Sequence, residues 1–217
     1  MSHKVNPVGF RTGTFMNWKS RWFASDSNYK DLLIEDIKIR EALMEKLSAA
    51  GVTSVVIERL PKSIALKLTV SRPGVVIGRG GSGLEDVKRL ILGIIGEVRG
   101  GAPKDLKIDL QVMEVKNPEL SAQLVATRIA GELERRMPHR RVVMRSMERI
   151  MQSGAKGVKI VLGGRIGGAE ISRVEKYHKG SVPTQTLRGN IDYAQVPALL
   201  KRGYVGIKVW IHKEDEE

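Results

Sequence analysis

A glycine-rich segment with one arginine, residues 78–83 (GRGGSG), combines residue types that suit the binding of a phosphate. Glycine allows the backbone to approach a ligand closely. The apolar periodicity that begins at Leu84 predicts a helix, whose free N–H groups would face the same loop. Arg79 adds a positive charge. Contact with RNA is therefore favoured over a plain turn between helices, which would not require four clustered glycines. The residues predicted to contact RNA in this region are Arg72, Gly78, Arg79, Gly80, Gly81 and Lys88.

The same glycines also fit the spacing of the dinucleotide-binding fingerprint. That mechanism needs a full strand before the loop and an acidic residue about 20 residues later. Only residues 75–77 separate Pro73-Gly74 from the loop, and residues 98–102 contain no acid. The sequence thus argues against a nucleotide cofactor, and no cofactor is expected.

The overall charge is strongly positive. The 217 residues include 37 Lys and Arg against 24 Asp and Glu, a formal net charge of +13, which favours nucleic acid or an anionic membrane surface as a partner. The chain has no cysteine, so disulfides and thiolate chemistry are excluded. Its four histidines lack metal-ligand spacing, and no nucleophile and base are paired, so neither a metal nor catalysis is expected. No apolar run approaches the roughly 20 residues that span a bilayer.

Further basic residues fall into three groups. Arg141, Arg145 and Arg149 recur every four residues and would share one helix face with Arg140 beside them; the alternative is a solvated face paired with Glu134 or Glu148. A strand-rich region carries cations suited to phosphate contacts, namely Lys156, Lys159, Arg165, Arg173, Lys176, Lys179 and Arg188. The third group lies among aromatic residues near the N-terminus, and its predicted RNA contacts are Lys4, Arg11 and Arg21. The alternative for those aromatics is packing onto the following domain.

Periodicity predicts two α+β domains after this basic and aromatic arm. The predicted boundaries are 1–28 for the arm, 29–116 for the first domain and 117–217 for the second. In the first domain the predicted elements are a helix over 29–50, strands over 52–60 and 64–70, a helix from Leu84 and a strand over 106–115. In the second they are helices from Asn117 and over 139–153, and strands over 158–163, 170–178, 184–192 and 205–212.

Two sets of strings carry a resemblance to known families. Residues 75–81 (VVIGRGG), within a helix–strand–strand–loop–helix–strand order, resemble a type II KH domain. The second half is similar to the bacterial family of small-subunit ribosomal protein three, as is the opening HKVNP. The strings of the second half are LERR at 133–136, GAKG at 154–157, GGRIGGAEI at 163–171 and GIKVWI at 206–211.

The resemblance implies an α+β fold: a KH domain with a three-stranded sheet and helices on one face, then two helices on an antiparallel sheet. It also implies a structural constituent of the small-subunit head in the cytoplasm, which binds small-subunit ribosomal RNA. Its implied neighbours are ribosomal proteins ten and fourteen, with proteins four and five where messenger RNA enters. Arg140, Arg141 and Arg145 match the residues that the family presents to messenger RNA, whereas Met144 stands where its pattern has lysine. A free-standing KH-type regulatory or processing factor is the alternative function.

Overall fold

The computed structural model describes residues 4–101 and 106–214, which divide into two units. Residues 18–116 form the KH unit, whereas residues 4–17 and 117–214 form the C-terminal unit. The predicted arm over residues 1–28 is therefore shared between the units: its first helix, α1 (Pro7–Arg11), belongs to the C-terminal unit and its first strand, β1 (Ser20–Arg21), to the KH unit. His3 and the acidic residues Asp215, Glu216 and Glu217 lie outside the described residues.

A four-stranded sheet forms one layer of the KH unit. Strands β2 (Val52–Leu60) and β3 (Ser63–Val70) pair antiparallel, as the predicted hairpin requires. Strand β4 (Lys107–Glu114) runs parallel to β3, and the two-residue β1 runs parallel to β2, which gives the order β1-β2-β3-β4. The KH sheet therefore has the three predicted strands plus a short edge strand from the N-terminal segment.

The helices of the KH unit are α2 (Asp26–Lys46), α3 (Pro73–Ile77) and α4 (Ser82–Arg99). Alternate residues of β3 are buried, as the period-2 pattern predicts. They pack against Leu43 of α2 and against Ile91 and Ile95 of α4, all fully buried. The predicted helix over 29–50 begins three residues earlier, and its last turn is a separate 3-10 turn, Ser48–Ala50, before Gly51.

Two buried carboxylates join the N-terminal strand to the KH core. Asp36 accepts hydrogen bonds from Ser20 Oγ and Trp22 Nε1, both at 2.8 Å, and from the Arg59 guanidinium at 2.6 and 2.8 Å. Glu35 accepts from Arg59 Nη1 at 2.6 Å and from Arg99. Because buried charges are stable only when they are paired and hydrogen-bonded, these partners hold β1 and the segment after it in one place.

In the C-terminal unit, two helices cover one face of an antiparallel sheet, as expected. The helices are α5 (Ala122–Glu134) and α6 (His139–Gln152). The strands are β5 (Gly157–Gly164), β6 (Arg173–Gly180), β7 (Ile191–Leu200) and β8 (Gly203–His212), in the order β6-β5-β8-β7. Every second residue of β5 and β8 is buried beneath the helices, for example Ile160 and Val209. The opposite face of this sheet is called the outer sheet face below.

Two predicted elements of this unit differ from the structure. The predicted helix start at Asn117 is a separate 3-10 turn, Pro118–Leu120, and α5 begins only at Ala122, whose N–H donates to Asp192 Oδ2 at 3.1 Å. The predicted strand over 184–192 is wrong, because residues 184–190 form turns and the strand is β7. Pro197 lies inside β7, where its missing N–H is tolerated because β7 is an edge strand. No described helix is long and apolar enough to cross a membrane.

Candidate nucleic-acid interface

The glycine loop of the KH unit lies between the end of α3 and the start of α4. Gly78, Gly80 and Gly81 have φ values of 69°, 62° and 84°, in the left-handed region that favours glycine. Ser82 Oγ donates to the Arg79 carbonyl at 3.1 Å and closes the loop. The segment before the loop is the helix α3, not a strand, so the arrangement required for a dinucleotide fingerprint is absent from this described region.

The four glycines of this loop meet two different needs. A Cβ on Gly83 would lie 2.4 Å from the Val76 carbonyl oxygen, and one on Gly78 would lie 2.9 Å from the Gly83 nitrogen. These two positions allow α3 and α4 to approach closely. A Cβ on Gly80 or Gly81 would instead meet nothing within 4 Å. The backbone at those two positions is therefore open to a ligand such as a sugar-phosphate chain.

Basic side chains flank the glycine loop. Arg72, Arg79 and Lys88 are all exposed, and none of them forms an ion pair within the described residues. Arg21, in β1, is also exposed but lies 3.4 Å from the Glu58 carboxylate. The loop thus has three cations available for an anion, whereas Arg21 is partly neutralised by its partner.

The structure overturns the predicted RNA contact at Arg11. This side chain is fully buried, and its guanidinium donates to the carbonyls of Pro7 at 3.0 Å, Gly189 at 2.8 Å and Thr186 at 2.6 Å. Longer bonds reach Pro183 and Thr184. Burial lowers the pKa of Arg11 from its usual value. Because its donors are taken up by carbonyls, Arg11 fixes α1 and the turns over 183–189 rather than meeting a phosphate.

The other predicted cations of the C-terminal unit are spread over several surfaces. The strand register places Lys159 of β5 and Lys176 of β6 on the outer sheet face, and Arg173 and Lys179 on the helix side of β6. Arg173 lies 2.9 Å from Glu175. Arg165 donates to the carbonyls of Ala169 and Arg202, so it stabilises its own loop. Lys156 and Arg188 are exposed outside the strands. One phosphate group therefore cannot engage them all.

Helix α6 presents the predicted arginine stripe. Val142, Val143 and Met147 are buried beneath it, whereas Arg141 and Arg145 are exposed. These two arginines form no ion pair with any described residue, and Glu134 instead accepts from the Leu199 N–H. Arg140 lies beside Glu175 and Tyr177, and its charge contributes to a lowered pKa of Glu175, after the Tyr177 hydroxyl, His139 and Arg173. The ion-paired alternative for the stripe is therefore not seen in the described part of the chain.

Comparisons with known proteins identify the family. A family model of the ribosomal protein S3 C-terminal domain matches residues 129–211, and a KH domain model matches residues 38–120. Small ribosomal subunit protein uS3 of Persephonella marina is 44% identical over 100% of this chain and 92% of its own length. The chain belongs to the uS3 family. The uS3 proteins of Natranaerobius thermophilus and Hahella chejuensis are each 46% identical over 98% of this chain, and over 89% and 90% of their own lengths. Members of this family are structural proteins, not enzymes.

Sequence reasoning missed two features of the surface of the C-terminal unit. Lys208 of β8 lies on the outer sheet face beside Val161, although it was not among the predicted contacts. The alternation of residues 205–211 could have placed Lys208 there. The second feature is the proximity of Lys4 to Lys159, which are distant in sequence: Lys4 lines a surface pocket with Trp210, and Lys159 Nζ lies 5.5 Å from the Trp210 ring. No local pattern could have revealed it, because it depends on how α1 is anchored.

Proposed function

We propose that this chain is a non-catalytic structural constituent of the small ribosomal subunit head, where it binds small-subunit ribosomal RNA and contacts messenger RNA during translation. Its place is the ribosome, in the cytoplasm. Membership of the uS3 family and near full-length similarity to proteins named as small ribosomal subunit proteins support this role. The proposed protein neighbours are ribosomal proteins ten and fourteen, with proteins four and five where messenger RNA enters.

Ribosomal RNA contacts are proposed for both units. In the KH unit, the backbone at Gly80 and Gly81 is open, and Arg72, Arg79 and Lys88 have no ion pair among the described residues; both features suit a phosphate chain. In the C-terminal unit, exposed lysines suit phosphates, which position a protein without reading base sequence. The affinity should therefore depend strongly on salt, with a slope of about 0.7–0.9 per phosphate contact in a plot of log K against log salt. A slope near zero would contradict the proposal.

Messenger RNA contact is proposed for Arg141 and Arg145. The observation that carries it is that both arginines are exposed and lack an ion pair within the described residues, on a helix whose other face is core. One helical turn separates them, so a strand crossing α6 could meet both. Arginine pairs phosphate bidentately and stays charged at any relevant pH. Such a pair suits an RNA strand that moves past the helix, because phosphate contacts do not depend on sequence.

The Arg141→Ala, Arg145→Ala double variant tests this assignment. Small subunits should assemble normally and translate unstructured messages, yet pass a stable downstream hairpin about fivefold more slowly, since two charge-assisted contacts are lost. Translation of matched messages with and without the hairpin measures the effect. The Arg141→Lys, Arg145→Lys variant keeps the charge and should recover most of the rate. Failure of the alanine variant to enter subunits would assign the stripe to ribosomal RNA, and unchanged hairpin passage would show a merely solvated face.

A free-standing KH-type regulatory or processing factor is the second candidate. It is favoured by one observation: the KH unit has its own buried core, separate from that of the C-terminal unit. Sedimentation of a lysate after a high-salt wash distinguishes the two functions. Migration with small subunits is expected for a structural constituent, whereas a soluble pool is expected for a free factor.

A further inference from the structure

The outer sheet face of the C-terminal unit has cations but no described acidic side chain. Strand register and alternation assign three rows of four directly opposed residues, one residue from each strand, to the middle of this face. They are Lys159, Val161, Gly163, Val174, Lys176, His178, Tyr193, Gln195, Pro197, Gly206, Lys208 and Trp210. Three of them are lysines and none is Asp or Glu. The positive charge of this face therefore has no partner within the sheet itself.

Two lysines, Lys4 and Lys176, lie close to the strand residue Lys159, so positive charge is concentrated around Lys159. Lys4, from the segment before α1, lines the same surface pocket as Trp210, and the charges of Lys4 and Lys176 both act on Lys159. The register explains the second contact, because Lys176 lies diagonally across the β5–β6 pair from Lys159. On the other side, Lys159 Nζ lies 5.5 Å from the centroid of the Trp210 ring. The indole fixes the position of the lysine through a cation–π contact.

Two ammonium groups this close are unfavourable without an anion. Each is a hydrogen-bond donor with no acceptor, so neither can satisfy the other while both are charged. The interaction with Lys4, then burial, then the charges of Lys4 and Lys176 lower the pKa of Lys159 to about 8. An oxyanion placed among the three groups would remove the repulsion and accept their hydrogen bonds.

We propose that Lys4, Lys159 and Lys176 together bind one phosphodiester group of RNA on the outer sheet face. The inference rests on the proposed function, since it names the place where ribosomal RNA would contact the sheet. A phosphate has the negative charge and several acceptor oxygens that three converging donors require. Trp210 supports Lys159 from beneath and is itself mostly buried, so the site holds a phosphate rather than a stacked base.

Binding at this site couples to the protonation of Lys159. A bound phosphate raises the pKa of Lys159, so RNA binding near pH 8 takes up a proton. The affinity is then highest below pH 8 and falls as the pH rises through 8, by about five- to tenfold between pH 7 and pH 9. The titratable and charged groups that face Lys159 are Lys4, Lys176 and His178. Lys208, His212, Tyr193 and Tyr204 lie farther across the same face.

The experiment measures binding of the full chain to a transcript of small-subunit ribosomal RNA from pH 7 to pH 9. Calorimetry in buffers of different ionisation enthalpy gives the protons taken up, about half a proton at pH 8 for the unchanged chain. Lys159→Gln should weaken binding about tenfold at pH 7 and abolish both the uptake and the pH dependence. Lys159→Arg keeps the positive charge and leaves His178 in place, but arginine does not titrate in this pH range. This variant should therefore bind RNA well, with an affinity that does not depend on pH.

The matched control is Lys201→Gln, in the turn between β7 and β8, an exposed lysine that is not among the predicted RNA contacts. It removes one positive charge and should keep the proton uptake. Circular dichroism checks that each variant is folded. If Lys159→Gln binds and takes up protons like the unchanged chain, the three-lysine site is wrong while the proposed function stands. If the unchanged chain does not bind the transcript, the proposed function fails instead. Equal loss of affinity in Lys201→Gln and Lys159→Gln would also overturn the site, since it would show a general charge effect.

Discussion

The glycine loop of the KH unit and the outer sheet face of the C-terminal unit offer an anion two kinds of surface. The loop is continuous in sequence, over residues 78–83, and its main contribution is open backbone. The sheet face consists of side chains from residues as distant as Lys4 and Lys176, aligned by strand register and by the anchored helix α1. The comparison shows that a short motif can reveal a backbone site, whereas a side-chain site depends on distant parts of the fold.

Loss of the Arg11 anchor should have the largest effect on stability, and it should affect the C-terminal unit rather than the KH unit. Arg11→Ala leaves the carbonyls of Thr186 and Gly189 without their donor, so the free energy of unfolding of the C-terminal unit should fall by about 3–4 kcal/mol. Unfolding in guanidinium chloride measures this free energy. Arg21→Ala, which removes an exposed arginine of the KH unit, is the control and should change stability by less than about 1 kcal/mol. A loss below 1 kcal/mol in Arg11→Ala would mean that the anchor is dispensable.

The next largest loss of stability is expected from a substitution at Gly83, where α3 and α4 approach closely. The added Cβ of Gly83→Ala would lie 2.4 Å from the Val76 carbonyl oxygen, so α3 and α4 must move apart. The expected cost is about 2–3 kcal/mol of stability, read from thermal melting. In Gly93→Ala, on the exposed face of α4, the new methyl group meets nothing within 4 Å and should stabilise the helix by about 0.5–1 kcal/mol. Equal melting temperatures for the two variants would contradict the packing role of Gly83.

Substitutions at Gly80 and Gly81, the open part of the loop, should lower the affinity for RNA more than the stability of the fold. Asp is tolerated at positive φ better than most residues. Gly80→Asp, Gly81→Asp should therefore stay folded, with a loss of about 1 kcal/mol, and bind single-stranded RNA about tenfold more weakly because the new charges repel phosphate. The Gly80→Asn, Gly81→Asn pair has the same size without the charge and should lose less affinity. Unchanged affinity in a folded Asp variant would exclude this loop from the RNA contact.

The smallest effect is expected on α6, where a cation can be added between the two arginines. Met144 is 53% exposed and packs little, so Met144→Lys should change stability by less than about 0.5 kcal/mol. It should raise hairpin passage by at most about twofold, since a third charge would extend the Arg141–Arg145 surface. The hairpin translation assay of the arginine variants measures it. Slower passage in Met144→Lys would show that this helix face does not attract the message.

The elements that sequence predicts well are those with a strong local period. The hairpin of β2 and β3 and the strand β8 lie within two residues of their predicted bounds. Their alternating burial can be predicted from the alternation of apolar and polar residues along the strand. The helix α6 was equally clear from its buried stripe. The glycine loop is also marked locally, since its four glycines fall within six residues and a helix follows at once.

Elements that depend on distant partners could not be predicted in this way. The strand expected over residues 184–192 has suitable residue types, but the Arg11 guanidinium binds the carbonyls of residues 183–189 and holds that segment in turns. Arg11 itself is predicted to bind RNA because its burial depends on the turns over residues 183–189, which are distant in sequence. The start of α5 was predicted too early, because Asp192 accepts from the Ala122 N–H there. Each error arises from one long-range contact.

The backbone carbonyls that accept hydrogen bonds from Arg11 also determine when the N-terminal segment can fold during synthesis of the chain. Arg11 leaves the ribosome early, whereas its acceptors at Thr186 and Gly189 are made about 175 residues later. At 5–20 residues per second this delay is roughly 10–35 seconds. The KH unit can complete its core during that interval, since all its strands precede Lys116. Until those carbonyls are synthesised, residues 4–17 have no partners in their own unit. This basic segment of the nascent chain is then accessible to RNA before it packs.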